Sequence, residues 1–190
     1  MRPEVWMIQI PDNPISMYYR GRVEQSWWDH GYHINYFNAV TPETMSKFKF
    51  LNFDKKRGTI EFTPTEKAVW YSHVEMWARA RRRPILIIEH DAMLLKPIPD
   101  ELFHQHQMIV FGKTYNEEHG IYQKLPGLAY YLTPTIARKM VNGIKTTNKI
   151  QWNSDASIHK TCNDHGEWMI DYVMQIKNSN VGTTIDHNPL

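Results

Sequence analysis

Two acidic residues, Glu89 and Asp91, directly follow the most apolar short run of the chain, residues 84–88. That run is apolar throughout and mostly β-branched, which predicts a strand buried on both faces of a sheet. Ligands of open α/β sheets bind at the carboxyl ends of strands, so both carboxylates are expected to converge on such a site. Carboxylate oxygens suit Mg²⁺ or Mn²⁺, and either metal can neutralise a departing diphosphate. The alternative is that the two acids cap the next loop or pair with nearby arginines.

A helix is predicted just before this strand. Thr63 is followed by a proline and, three residues after the cap, by Glu66, which is the pattern of a capping box with proline at the first helical position. Apolar side chains then recur on one face, which predicts a helix that ends near Arg82. That face comprises Val69, His73, Met76, Trp77 and Ala80. A helix that leads directly into a buried strand is typical of α/β proteins.

Patterning elsewhere extends the same alternation of strands and helices. Strands are predicted at residues 5–10, 33–40, 108–112, 128–132 and 168–176, and helices at residues 16–30, 133–143 and 154–162. Residues 41–62 are polar and charged and give no clear prediction. A chain of 190 residues suits one domain with a substantial core, so residues 1–190 are interpreted as a single α/β domain.

Composition, charge and the lack of long apolar runs argue against several function classes. The net charge of +2 is small for a protein that binds nucleic-acid phosphates. The arginines at 79–83 are interpreted as a solvated helix end, where the helix dipole favours positive charge. Cys162 is the only cysteine, so no intramolecular disulfide can form and a reducing compartment is expected. No apolar run approaches the roughly 20 residues of a membrane helix, and no apolar signal core follows the N-terminus. The chain is expected to be cytoplasmic in the producing or infected host cell.

The order of several motifs resembles glycosyltransferase family 25, the lipooligosaccharide-type and collagen-type galactosyl- and glucosyltransferases. These motifs are Ser72-His73, then Trp77, then the apolar strand that ends in Glu-His-Asp-Ala, where the family has Glu-Asp-Asp-Ala. Outside this segment, residues 38–40 resemble the family's second strand and residues 127–133 its later strand–helix unit. The resemblance covers most of the chain, and the middle segment is its specific part. It implies a GT-A fold, which is a Rossmann-like mixed sheet, a UDP-hexose donor, and inversion at the anomeric carbon.

The resemblance also implies a metal site. Asp91 is the leading ligand, and Glu89 is expected to bind the metal directly, through water, or to contact the donor ribose. His90 replaces the family's middle acid, which leaves open an altered metal site or an inactive relative. His187 matches the late histidine that several GT-A enzymes fold back onto the metal, the alternative being a frayed terminus. His73 is expected to support the metal loop or the donor from beneath, the alternative being a core histidine with a satisfied hydrogen bond.

Inverting transfer needs a base that takes the proton of the acceptor hydroxyl. Asp155 is the candidate, although the segment around it is equally typical of a helix N-cap. Asp164 and Asp171 are weaker candidates. The spacing of His159, Cys162 and His165 is compatible with zinc but is a weak signal, interpreted as coincidence.

Polar residues after the first strand are candidates for holding the nucleotide. Asn13, Ser16 and Arg20 lie in the segment that contacts base and ribose in GT-A proteins, and turn hydrogen bonds are the alternative role. Together with the acidic strand end, the resemblance implies transfer of glucose or galactose from a UDP-sugar, with Mn²⁺ or Mg²⁺, to a glycan, lipid-linked or protein acceptor. The rival hypotheses are a metal-dependent nucleotide phosphoesterase and a non-catalytic nucleotide- or glycan-binding relative.

Overall fold

The fold is taken from a computed structural model, which describes residues 2–47, 51–56, 59–116, 119–147 and 149–176. The helices in this part of the chain are α1 (Pro14–Trp28), α2 (Pro64–Ala80), α3 (Asp100–Gln105), α4 (Pro134–Thr147) and α5 (Ser154–His165). The strands are β1 (Glu4–Gln9), β2 (Ile34–Asn38), β3 (Ile85–Glu89), β4 (Ala92–Leu94), β5 (Met108–Asn116), β6 (Ile121–Lys124), β7 (Ala129–Leu132) and β8 (Glu167–Gln175). The predicted α/β class, a mixed sheet flanked by helices, is confirmed.

The eight strands form one sheet in the order β2-β1-β3-β7-β5-β8-β4, with β6 paired to β5 beside this path. Strands β2, β1 and β3 run parallel. Strand β7 is antiparallel to both β3 and β5, whereas β5 and β8 are parallel to each other. Glu89 pairs with Ile8 in register, so the carboxyl ends of β1 and β3 meet at the same edge of the sheet.

Local sequence chemistry fixes where two of the helices begin. The Asn13 side chain accepts hydrogen bonds from the backbone of Ile15 and Ser16 and so caps α1. The capping box predicted at the start of α2 is present, with Thr63 and Glu66 satisfying each other's backbone N–H groups. Thr133 directly precedes α4, and its buried hydroxyl has no hydrogen-bond partner among the described residues, so it does not cap that helix.

Side chains that alternate along the strands pack into two cores, one on each face of the sheet. On one face, Ile85 and Ile87 pack with α2, α4 and α5. On the other face, Leu86 and Ile88 pack with α1 and α3. All four of these side chains are buried, as the prediction of a fully covered strand requires.

Several boundaries differ from the predictions. Strand β5 continues to Asn116, well beyond the expected end at residue 112, because it pairs with β6 in a hairpin. Strands β4 and β6 and helix α3 were not expected, since each is six residues or shorter and carries little periodic signal. Val69 was placed on the buried face of α2 but is only half-buried, whereas Tyr71 and Ser72 on the same helix are buried. No helix of the described residues has the length and apolarity to cross a bilayer.

Candidate functional site

Glu89 is the last residue of β3 and turns its carboxylate toward the α2 face of the sheet. Its backbone N–H donates to the carbonyl of Leu128 at 2.9 Å, which ties the end of the strand to the segment before β7. Its Oε1 lies 3.8 Å from Nε2 of His73, and about a quarter of its side chain is exposed. One of the two predicted acids therefore lies at the strand end, with its carboxylate between the core and solvent.

Asp155 approaches the same place from helix α5. A Cβ added at Gly127 would overlap the Oδ1 of Asp155 and lie 3.7 Å from the Oε1 of Glu89. Both carboxylates therefore reach one small space, which remains open because residue 127 has no side chain. The sequence linked Glu89 to a metal and Asp155 to proton transfer, and the structure brings the two residues together.

The helix cap at this point comes from another residue. Asn153 is the N-cap of α5, and its side-chain oxygen accepts a hydrogen bond from the backbone of Ala156 at 2.8 Å. The capping role considered for the Asp155 region is thus filled by Asn153, and Asp155 occupies the first helical turn. The positive end of the helix dipole favours a carboxylate at that position.

A buried polar group lies beneath the two carboxylates. His73 is 1% exposed, and its Nδ1 lies 2.8 Å from the hydroxyl of Tyr130. Trp77 donates a hydrogen bond from its indole to the same hydroxyl at 2.9 Å. Burial lowers the pKa of His73 to about 4, although the charge of Asp155 opposes this shift. His73 is therefore neutral at pH 7, and its contact with Glu89 is not an ion pair there.

Asp91 lies in the turn between β3 and β4 and has a different neighbour. Its Oδ2 accepts a hydrogen bond from Gln175 of β8 at 2.9 Å, while its buried Oδ1 has no hydrogen-bond partner among the described residues. His90 is buried with its ring near that of Tyr19 on α1, on the side of the sheet opposite to His73. His90 thus lies on the α1 side of the sheet.

Glu89 and Asp91 carry the carboxylate oxygens that a hard divalent cation prefers as ligands. In the part of the chain that the structure describes, no three His, Cys, Asp or Glu side chains are placed to hold a metal ion together. Mg²⁺, however, is commonly bound by one or two carboxylates plus substrate phosphates. The unpartnered buried Oδ1 of Asp91 favours a cation nearby, since such an oxygen is costly to leave unsatisfied. His187, the third predicted ligand, lies outside the described residues.

The residues predicted to hold the nucleotide lie on α1 and at its start. Helix α1 begins at Pro14, two residues before the predicted start at residue 16, and includes both Ser16 and Arg20. The Asn13 oxygen caps the helix, and the buried Ser16 hydroxyl accepts a hydrogen bond from the backbone of Ile10 at 3.0 Å. The Arg20 guanidinium lies 4.0 Å from the centre of the Tyr36 ring. For Asn13 and Ser16, these are the turn hydrogen bonds considered as the alternative role.

The weaker candidates lie elsewhere. Asp164 forms an ion pair with Lys160 on the surface of α5, and the exposed Asp171 forms one with Lys113. The buried Cys162 thiol lies 3.3 Å from the carbonyl oxygen of Glu167.

The arginine run is a surface feature, as predicted. Arg81, Arg82 and Arg83 are exposed, and Arg83 forms an ion pair with Glu4.

Sequence reasoning missed Tyr130 and Gly127 as parts of the site. Both belong to the strand segment 127–133 that contributed to the family resemblance, but nothing local separates Tyr130 from the adjacent Tyr131. The alternation along β7 decides between them, because Tyr131 faces the other core and donates to the carbonyl of Phe103 at 3.0 Å. The alternation of side chains along the strand could have separated the two tyrosines from the sequence. Using it required knowing which face of the sheet α2 covers.

Comparisons with known proteins give structural likeness alone. No protein-family model matches the chain, and no curated protein matches it. One similar solved structure is a glycosyltransferase involved in glycosylation of the major capsid of PBCV-1, at 11% identity and a TM-score of 0.47, covering 93% of this chain and 96% of that one. Another is the apo form of the glycosyltransferase GlyE of Streptococcus pneumoniae TIGR4, at 10% identity and a TM-score of 0.46. That match covers 90% of this chain and 46% of the other.

Neither solved structure is described as a member of family 25. At these identities and TM-scores, the likeness supports no inference about activity, donor or metal. The case for a function therefore rests on the site geometry and on the sequence motifs.

Proposed function

We propose that this chain is a GT-A-like glycosyltransferase that transfers glucose or galactose from a UDP-sugar, with inversion, to a glycan, lipid-linked or protein acceptor. The observation that carries the proposal is the convergence of the Glu89 and Asp155 carboxylates beside Gly127, at the carboxyl end of a buried strand. Ligands of α/β sheets bind at that edge. The ordered motifs that resemble family 25 supply the reaction class.

In this proposal Asp155 is the base. It lies in the first turn of α5, where the residue is partly exposed, so that its carboxylate would meet an acceptor hydroxyl from solvent. A carboxylate within hydrogen-bond reach of the acceptor hydroxyl removes its proton as the oxygen attacks the anomeric carbon. Inversion follows from a single attack on the face opposite the leaving nucleotide.

Asp91 and Glu89 would hold a Mn²⁺ or Mg²⁺ ion, with His187 as a further ligand. The bound metal would neutralise the charge of the donor diphosphate. Asp91 is suited to the role because one of its buried oxygens lacks a partner in the described structure. Glu89 is suited because its partly exposed carboxylate lies next to Asp155.

The donor nucleotide is placed near the start of α1. Arg20 is the strongest of the three candidates, because a guanidinium over one aromatic face retains N–H groups for a phosphate or ribose. Asn13 and Ser16 would contact the donor only if their present hydrogen bonds to the backbone were exchanged or shared. We further propose that residues 1–190 form one domain and that the protein acts in the cytoplasm.

The decisive experiment is calorimetric titration with UDP-glucose and UDP-galactose, with Mn²⁺ or with a chelator. We expect metal-dependent binding of one sugar nucleotide, and its loss in Asp91→Asn. The matched control is Asp164→Asn, which removes a surface carboxylate of α5 that pairs with Lys160. A folded sample that binds neither nucleotide-sugar would overturn the proposal.

Two rival functions have distinct outcomes in the same samples. A non-catalytic relative, favoured by His90 in place of an acid, would bind a sugar nucleotide but would never release UDP with any acceptor or water. A nucleotide phosphoesterase would release phosphate from nucleotides that carry no sugar. Measuring UDP and phosphate release side by side separates the three hypotheses.

A further inference from the structure

Tyr130 is buried at the centre of a hydrogen-bonded group of side chains that lies beneath the candidate site. Its side chain is 0% exposed, and its hydroxyl lies 2.9 Å from the indole nitrogen of Trp77 and 2.8 Å from Nδ1 of His73. The opposite nitrogen of the same imidazole lies 3.8 Å from a carboxylate oxygen of Glu89. Four side chains from α2, β7 and β3 thus form one line from the core to the site.

The number of available protons decides which atom donates in each of these hydrogen bonds. The indole of Trp77 can only donate, so the Tyr130 oxygen is the acceptor of that bond. The Tyr130 hydroxyl keeps its own proton at neutral pH, because burial raises its pKa well above the usual value. If Nδ1 of His73 also donated to Tyr130, the hydroxyl proton would lack a partner among the contacts of this group. Since buried donors are nearly always paired, the hydroxyl donates to an unprotonated Nδ1.

The neutral imidazole then carries its single proton on Nε2. That N–H faces the Glu89 carboxylate, whereas the other tautomer would direct a lone pair at a negatively charged oxygen. Both ends of the ring therefore favour the same tautomer. The hydrogen bond to one ring nitrogen commonly decides what the other nitrogen offers to a site.

We propose that Tyr130 is a positioning residue, which holds His73 as the Nε2–H tautomer and so directs a fixed N–H at the Glu89 carboxylate. The tautomer is assigned from the contacts of Tyr130 with Trp77 and His73 and of His73 with Glu89, while its consequence for catalysis rests on the proposed function. There, the N–H of His73 would orient the Glu89 carboxylate toward the donor or its metal. Ligating carboxylates are commonly oriented by polar groups that lie behind them.

The tautomer can be measured directly by nitrogen-15 NMR of the histidine side chains at pH 7. The His73 signals are identified by their disappearance in His73→Asn. We expect Nδ1 at the shift of an unprotonated nitrogen and Nε2 at that of a protonated one. An Nδ1-protonated ring, or a doubly protonated ring, would overturn the proposal. This part uses the parent protein and needs no variant of Tyr130 to fold.

Two variants of adjacent buried tyrosines test the role of the hydroxyl. Tyr130→Phe removes the donor to Nδ1, and we expect both His73 nitrogens to shift toward values that average the two tautomers. Tyr131→Phe is the matched control, because its hydroxyl is also buried and hydrogen-bonded but faces the opposite core. It should leave the His73 signals in place. Unchanged His73 signals in Tyr130→Phe would show that Tyr130 does not set the tautomer.

A kinetic readout separates this inference from the proposed function. If UDP-sugar turnover is found, Tyr130→Phe should lower kcat by about tenfold or more, with a smaller change in the donor KM, and Tyr131→Phe should change neither. Equal kinetics of the two variants would refute the positioning role even if the tautomer is as assigned. Absence of any turnover in the parent protein would refute the transferase proposal, and the NMR result would still decide the tautomer.

Discussion

Gly127→Ala tests the convergence of the two carboxylates most directly. The added Cβ would lie well under the 3.0 Å that real Cβ contacts essentially always exceed from the Oδ1 of Asp155. The Asp155 carboxylate must therefore move by roughly 1 Å, and displacements of that size in a catalytic group can cost about 100-fold in rate. Overpacking of this kind typically destabilises a protein by about 1–3 kcal/mol. We expect the lower part of that range, because the clashing atom ends a side chain and not a backbone segment.

The assay for Gly127→Ala is urea unfolding combined with UDP-sugar turnover. Gly143→Ala is the matched control, since a Cβ there meets nothing within 4 Å and lies inside helix α4. That control should be neutral or stabilising, by up to about 1 kcal/mol.

A double-mutant cycle with Asp155→Ala tests whether the Cβ added at residue 127 clashes with Asp155. If the overlap is with Asp155, the free-energy cost of Gly127→Ala should largely vanish in the Asp155→Ala background. An undiminished cost there would refute the contact, and parent-like stability and turnover in Gly127→Ala would refute the predicted geometry of the site.

Three further predictions concern the surrounding scaffold. Asn153→Ala should lower the free energy of unfolding by about 1 kcal/mol, measured in urea, because it removes the α5 cap. Trp27→Phe should cost about 1–3 kcal/mol in the same assay, since the buried carbonyl of Ala92 loses its donor at 2.8 Å. Burial raises the pKa of Cys162 from 9.0 to about 11, so the native state holds that proton more tightly. Stability should therefore fall as pH rises from 9.0 toward about 11, more steeply than in Cys162→Ala, and an identical pH dependence of the two proteins would contradict this.

The sequence predicted the longer elements well, because their signals are local. The capping box at Thr63 and the apolar run before Glu89 each specify an element through neighbouring residues, and both were found where expected. The short strand β4 was missed, because its three residues take their place from pairing with β8, about eighty positions later in the chain. The length of β5 was missed for the same reason, since its second half depends on the hairpin with β6.

The residues of the candidate site show the same contrast between local signals and contacts between distant segments. Glu89, Asp91 and Asp155 could be singled out from residue type and from the strand or helix end that carries each, and their chemical roles remain predictions. Which of these acids are neighbours depends on contacts between distant segments. Glu89 approaches Asp155, whereas Asp91 is bound by Gln175 at the far end of the chain.

The sequence by itself determined the class of the fold, the buried strand and the acids at its end, because caps, periodicity and apolar runs act within a few residues. Only the tertiary structure decided that Tyr130, and not its neighbour Tyr131, faces His73. It alone decided that the missing side chain of Gly127 leaves room for the carboxylate of Asp155. Both follow from how the sheet is ordered and which helices cover each face, and no short stretch of sequence encodes the packing of residues dozens of positions apart.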